Sequence, residues 1–259
     1  MTTIFTVANQ KGGVGKTTTS INLVASLASY GKRVLLVDMD PQGNATMGSG
    51  IEKSILNTSV LDVLVSGTNT DDAIQRSLSG SYDVLPANGD LTAAEVELLQ
   101  LKNKESRLRH ALIRIKDDYD FIIIDCPPSL SMLTINSLVS CDGVIVPMQC
   151  EYFALEGLSD LIGTIKKISQ YLNPKLKLEG IIRTMFDPRS SLTNEVTAQL
   201  TNHFGDLVYK VAIPRNVRLA EAPSHGLPAL VYDKNSKGAI AYLGLAGEIL
   251  RRGKIKTKL

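Results

Sequence analysis

The chain has 259 residues, of which 44% are apolar and 21% charged, a balance that argues against disorder and against a fibre. At roughly 100–200 residues per domain it holds one large domain or two small ones, and no run approaches the roughly 18–20 uninterrupted apolar residues of a membrane span. Net charge is +2, but Arg251, Arg252, Lys254, Lys256 and Lys258 place five positive charges in the tail and leave −3 for the preceding 250 residues, so the balance alone does not announce a nucleic-acid binder. In chain order, an apolar run at Ile4–Val7 reads as a strand and Thr18–Tyr30 as a helix stopped by Gly31. Further strands are expected at Val34–Val37 and Tyr82–Leu85. Leu91, Ala94, Leu98 and Leu101 then share one face of a helix. Phe121–Ile124 and Val144–Val146 read as strands, Leu155–Tyr171 as a helix and Leu178–Ile182 as a strand. Leu192, Val196, Leu200 and Phe204 recur at steps of four on a helix. Val208–Ile213 reads as a last strand, and Gly238–Leu250 as a last helix with Ser236 as its cap.

Several of these strands are apolar throughout rather than alternating, which suits burial on both faces. Strand–helix alternation then predicts an α/β fold: a single doubly wound, mostly parallel sheet with helices on both faces, spanning residues 1–259. In such sheets ligands sit beyond the carboxyl ends of the strands. The start of the chain carries no basic segment or cleavage site, so a cytoplasmic protein is expected. Cys126, Cys141 and Cys150 lack CxxC spacing and read as buried thiols.

After the first strand comes NQKGGVGKTTT. Gly15-Lys16-Thr17 fills the end of the phosphate-loop pattern GxxxxGK[ST], while Gln10 stands where its first glycine belongs. The physics of the loop still holds. Gly12, Gly13 and Gly15 let the backbone turn its N–H groups toward an anion around Val14, and the helix that follows offers its positive end. Lys16 suits β- and γ-phosphates, and the Thr17 hydroxyl suits Mg²⁺. At the end of the second strand, VDMDPQGN brings Asp38 and Asp40, which period two puts on one side. FIIIDCPPS brings Asp125 to the end of another strand, an acidic Walker B position. One such carboxylate suits the water shell of the metal and another the attacking water.

Lys11 is the informative departure. With KGGVGKTTTSINLVASLASYGKRVLLVDMDPQGNAT, FIIIDCPPSLSMLTINSL, VPMQCEYFALEGL, MFDPRSSLTNEV and IPRNVRLAEAPSHGLP, it resembles the ParA/Soj chromosome-partitioning ATPases of the deviant Walker group, from residue 2 to about 250. The resemblance implies a P-loop ATPase that takes ATP and Mg²⁺, forms a homodimer with ATP and then binds double-stranded DNA without sequence preference. It also implies a ParB-type partner that stimulates slow hydrolysis, and a nucleoid-associated location. By that resemblance Lys11 through Thr18 hold phosphates, and Lys11 reaches the partner's nucleotide. Asp40 positions water, and Asp125 holds the water shell of magnesium. The role of Asp38 stays open between structure and catalysis. Pro214, Arg215 and Asn216 contact adenine, Thr184 and Met185 line the same base pocket, and Gln149 and Glu151 lie near the nucleotide and the dimer interface. Arg189 and Arg218 are the DNA candidates, extended by Lys234, Lys237, Arg251 and Arg252. The phosphate loop begins so near Met1 that no N-terminal helix-turn-helix domain is expected. A MinD-like membrane-associated ATPase is the alternative, although ILRRGKIKTKL lacks aromatics and is interrupted by Gly253. A guanine-reading [NT]KxD is missing, which favours ATP over GTP, and the glycine-flanked cysteine motif of a nitrogenase-type reductase is missing too.

Overall fold

Strands built almost entirely of aliphatic residues have two apolar faces, and both must be covered. The computed structural model describes residues 2–256 apart from Leu78 and Phe153. Lys258 and the side chains of Lys254 and Lys256, part of the basic tail, lie outside the described residues. The elements in chain order are β1 (Thr3–Val7), α1 (Lys16–Ser29), β2 (Val34–Asp38), α2 (Asn44–Gly48), α3 (Val60–Val65), α4 (Thr70–Ala73), β3 (Gln75–Arg76), β4 (Asp83–Leu85), α5 (Leu91–Glu97), α6 (Arg107–Ile115), β5 (Phe121–Asp125), α7 (Met132–Ser140), β6 (Gly143–Gln149), α8 (Ala154–Tyr171), β7 (Lys177–Thr184), α9 (Ser191–Phe204), α10 (Val217–Glu221), α11 (Ala229–Tyr232) and α12 (Lys237–Lys256).

Among the described residues the strands form one seven-stranded sheet in the order β3-β4-β2-β5-β1-β6-β7. Every pairing is parallel except β3 with β4. Alternate residues of each strand feed opposite cores. Leu35, Val37, Ile122, Ile124, Val144 and Val146 face the side covered by α3 and α5–α9. Val34, Leu36, Ile123, Ile145, Phe5 and Val7 face the side covered by α1 and α12. This is the doubly wound α/β arrangement that the sequence predicts.

Four local readings need correction. Val208–Ile213 is not a continuous strand: isolated bridges join Val208 to Ile181 and, just past the segment, Pro214 to Phe186, and the Tyr209 and Ile213 N–H groups donate to the Ile181 and Arg183 carbonyls of β7. Between these points, side chains take the hydrogen bonds a neighbouring strand would have taken. The Glu248 carboxylate accepts from the Lys210 and Val211 N–H groups, and Arg183 donates to the Tyr209 and Lys210 carbonyls. The helix on Leu91, Ala94, Leu98 and Leu101 stops at Glu97 and tightens into a 3-10 turn over Leu98–Gln100, with Leu101 already extended. Tyr82 stands one residue outside β4. The last helix runs through Gly253 to Lys256 rather than breaking there. Ser236 does cap it, accepting from Ala239 N through Oγ at 3.2 Å.

Candidate functional site

Parallel strands all end on one rim, and the loops after β1, β2 and β5 converge there. Asp38 and Asp125 are direct partners across β2 and β5, and Val7 pairs with Asp125 across β1 and β5. Beyond these strand ends opens a cavity of about 640 Å³. It is lined by Gly12, Gly13, Gly15, Lys16, Thr17 and Thr18 from the glycine loop, and by Asp40, Pro41, Gln42 and Asn44 from the loop after β2. Thr92 and Glu95 of α5, Pro127–Ser129 after β5, and Met185 after β7 complete it.

The glycine loop is shaped by its own residues and braced from two other strand ends. Gly13 and Gly15 have φ of 74° and 88°, a left-handed backbone that costs glycine nothing and other residues about 1 kcal/mol or more. Gly15 is the residue from which α1 starts, so the positive end of a 14-residue helix opens onto the loop. Asn9 accepts from Lys11 N at 3.0 Å and donates to the Pro147 carbonyl at 2.8 Å. Thr184 donates to the Val14 carbonyl at 2.8 Å and Gln149 to the Gly13 carbonyl at 3.3 Å. With those carbonyls engaged by side chains, the loop N–H groups beyond Lys11 are left for a ligand.

Lys16 is buried, and its Nζ donates to the Lys11 carbonyl at 3.1 Å. Burial lowers its pKa, while Asp125 and Asp40 pull the other way. Lys11 differs in every respect: it is exposed, and its Nζ is paired with Glu151. Asp125 is wholly buried and accepts two hydroxyls, Thr17 Oγ1 at 2.8 Å and Ser20 Oγ at 2.7 Å. Burial, and then the neighbouring Asp38, push its pKa up. Thr17 and Asp125 thus present hard oxygen donors at the foot of the phosphate loop. That donor set fits Mg²⁺, an ion usually held by one or two protein oxygens together with phosphates and waters.

Asp38 and Asp40 do not share a side. β2 ends at Asp38, and Asp40 stands past it in the turn. Asp40 lines the cavity, with Oδ1 accepting from Gln42 N at 2.9 Å. Asp38 points into the protein, fully buried, with a pKa raised by that burial.

The other expected positions divide. Met185 lines the cavity with φ 48°, an uncommon backbone for methionine. Thr184 does not line it; it is 3% exposed and spent on the Val14 carbonyl. Pro214, Arg215 and Asn216 are not among the lining residues, although the Phe186–Pro214 bridge sets them one step from Met185. Asn216 is turned to its own helix, capping α10 through Arg218 N. Gln149 braces the loop, and Glu151 meets Lys11. Arg189, in the loop before α9, is exposed but bidentate on Asp187. Arg218 pairs with Glu221 and Asp233. Lys234, Lys237 and Arg251 are exposed. Arg252 leaves the proposed cationic surface: it stacks over the Tyr209 ring at 4.1 Å and pairs with Glu248. Cys126, Cys141 and Cys150 are buried and unpaired, as expected.

Sequence reasoning missed several lining residues. The rule that ligands sit past strand ends, carried three residues beyond Asp125, would have found Pro127 and Pro128. Thr92 and Glu95 arrive from a helix remote in sequence, and no local signal marks them.

Comparison with known proteins agrees with this geometry. The family described as AAA domain matches residues 2–178. The chain is 52% identical over 250 residues to the sporulation initiation inhibitor protein Soj of Bacillus subtilis, covering 96% of this chain and 99% of that protein. It is 49% identical over 254 residues to the chromosome partitioning protein ParA of Myxococcus xanthus, covering 98% and 90%. Among solved structures, one described as cobyrinic acid a,c-diamide synthase from Mycobacterium smegmatis, with bound ATP analogue and magnesium, superposes with a TM-score of 0.86 at 40% identity, covering 98% and 96%. By sequence, by fold and by the strand ends that bear its glycine loop, the chain belongs to the ParA/Soj family of chromosome-partitioning P-loop ATPases.

Proposed function

We propose that the chain is one ATPase unit that acts as a dimerising switch. It binds ATP with Mg²⁺ as a monomer, pairs across the nucleotide, and in that state holds double-stranded DNA without reading its sequence. Slow hydrolysis, accelerated by a ParB-type partner, returns it to the monomer, and cycles of this kind move chromosomal or plasmid cargo over the nucleoid without a membrane. The observation that carries the reading is the division of labour between two lysines: Lys16 buried under the loop, Lys11 exposed on its outer side.

In this reading the loop N–H groups, the start of α1 and Lys16 receive the β- and γ-phosphates. Thr17 would hold magnesium directly and Asp125 through water, and the ion would supply charge neutralisation at the phosphate oxygens. Asp40 orients the attacking water along the cavity floor and accepts its proton. Met185 and the Pro214–Asn216 segment border the base. Lys11 leaves Glu151 when a second subunit brings its nucleotide close, and its ammonium then stabilises charge on the transferred phosphoryl group, as an arginine finger does in trans. Arg189 and Arg218, doubled in a dimer, supply phosphate contacts for DNA.

Light scattering and DNA titration with no nucleotide, with ADP and with a slowly hydrolysed ATP analogue test the reading. Dimers and DNA binding are expected with the ATP analogue alone. Equal DNA binding in all three states would overturn it.

A further inference from the structure

Asp38 is the buried acid that the proposed chemistry does not use. Its carboxyl group is 0% exposed and takes three donors. Oδ1 accepts from Asp40 N at 3.1 Å. Oδ2 accepts from Thr46 N at 2.8 Å and from Thr46 Oγ1 at 2.7 Å. The Thr46 hydroxyl, having donated to Asp38, accepts from Ala87 N at 2.9 Å. A chain of bonds therefore runs from the backbone of Asp40, through Asp38 and Thr46, to the segment that follows β4.

These bonds clamp a short stretch at both ends. Between them lie Asp40, Pro41, Gln42 and Asn44, all of which line the cavity. Inside the stretch, Gly43 N donates to the Asp40 carbonyl at 2.8 Å, and Gln42 N holds Asp40 Oδ1 at 2.9 Å. The Lys53 ammonium holds the Gln42 carbonyl at 2.7 Å. The Asp40 carboxylate is thus fixed through its backbone by Asp38 and through one oxygen by Gln42. Its other oxygen, Oδ2, has no partner among the described residues and is left for the cavity.

A buried acid is costly unless its bonds need it. Three donors converge on Asp38. An amide in its place offers one oxygen, and its NH₂ would oppose either the Asp40 N–H or the Thr46 donors. Only an acid, with acceptor capacity on both oxygens, satisfies the whole set. We infer that Asp38 and Thr46 are positioning residues for hydrolysis: they set the backbone of Asp40, and through it the direction of the water-orienting carboxylate. The inference rests on the reading of Asp40 given above.

Steady-state hydrolysis by wild type, Asp38→Asn, Thr46→Val, Thr46→Ser and Asp40→Ala tests it, with Tyr242→Phe as a variant that loses a buried hydrogen bond to Thr19 at a residue that does not line the cavity. Misplacing a catalytic group by about 1 Å costs on the order of 10²-fold. Asp38→Asn is expected to lower kcat on that order while leaving the KM for ATP within about twofold, the signature of a contact realised in the transition state. Thr46→Val is expected to lose about tenfold in kcat and Thr46→Ser, which keeps the hydroxyl, to recover most of it. Tyr242→Phe is expected to lower the melting temperature and keep kcat. If Asp38→Asn does not fold, the Thr46→Val and Thr46→Ser pair carries the test. Wild-type kcat in Asp38→Asn and Thr46→Val beside an inactive Asp40→Ala overturns the positioning role and leaves the role of Asp40 standing. Wild-type turnover in Asp40→Ala overturns both. A loss of kcat in Tyr242→Phe equal to that in Thr46→Val, or no recovery in Thr46→Ser, reduces Asp38 and Thr46 to a structural role and also overturns the inference.

Discussion

Arg189 is 88% exposed in its side chain, yet it is fully engaged, gripping Asp187 through two nitrogens at 2.9 Å. The grip holds the Asp187 carboxyl down to about 2. Removing it by Arg189→Ala is therefore expected to return Asp187 upward toward the ordinary carboxylate range near 4, read by a carboxyl NMR titration; an unchanged Asp187 would deny the pair. On the proposed reading, a DNA phosphate at this position has to compete with that carboxylate for the same guanidinium. Gly43 makes a second case at this scale. Its φ is +61°, and a Cβ there would lie 2.7 Å from the Ala87 carbonyl oxygen. Gly43→Ala is expected to destabilise the fold by about 1–3 kcal/mol, as left-handed strain usually does, and chemical denaturation measures it. The sequence made the glycine loop, Lys16, Asp40 and Asp125 legible because each obeys a local rule: a residue type at a fixed offset from a strand end. It left Asp38 open, because whether a side chain at a strand end turns outward or inward is decided by Thr46, eight positions on.

Among the elements, most strands and long helices were readable from apolar runs and periodicity, since burial on two faces writes itself into composition. The segment Val208–Ile213 misled because its residues are strand-like, while only its two ends bond the β7 backbone and the middle is held by the Glu248 and Arg183 side chains. Composition does not say where a backbone donor goes. The tie between α1 and α12 is equally silent in the sequence. Thr19 and Tyr242 share a buried hydrogen bond of 3.0 Å, with the Tyr242 ring wholly enclosed. Tyr242→Phe is expected to cost about 1–3 kcal/mol, since the Thr19 hydroxyl is left without that partner. Calorimetry should show it as a lower melting temperature, and wild-type stability would mean that Thr19 has found another partner.

At the scale of the whole molecule, the proposed cycle gives assembly to the exposed face of the phosphate loop. Lys11→Ala is expected to keep monomeric ATP binding and to weaken ATP-dependent dimerisation by roughly tenfold or more, the usual scale for removing a charge-assisted contact. Titration with a fluorescent ATP analogue reads the first, light scattering the second, and normal dimers would make Lys11 a bystander. DNA affinity should fall steeply with salt, by about 0.9 in the logarithmic slope for each phosphate neutralised. Arg189→Ala and Arg218→Ala should each flatten that slope without changing dimerisation. Titrations against two unrelated duplexes at several salt concentrations check this; wild-type slopes in both variants would move the DNA surface toward Lys234, Lys237 and Arg251.

The bond between Thr19 and Tyr242 joins residues 223 positions apart, and the Asn22 side chain accepts from Ala229 N across 207. During synthesis the helix that opens at the phosphate loop is therefore made long before the wall behind it. At about 5–20 residues per second the interval is roughly 10–40 s. Until it ends, Val24, Ala25 and Leu27 lack Tyr242, Leu245 and Ala246, their companions in the same core. A ribosome that stalls before α12 releases a chain whose nucleotide loop is complete in sequence but unsupported in space. Only a chain that already includes α12 has the enclosed α1 on which that loop is mounted.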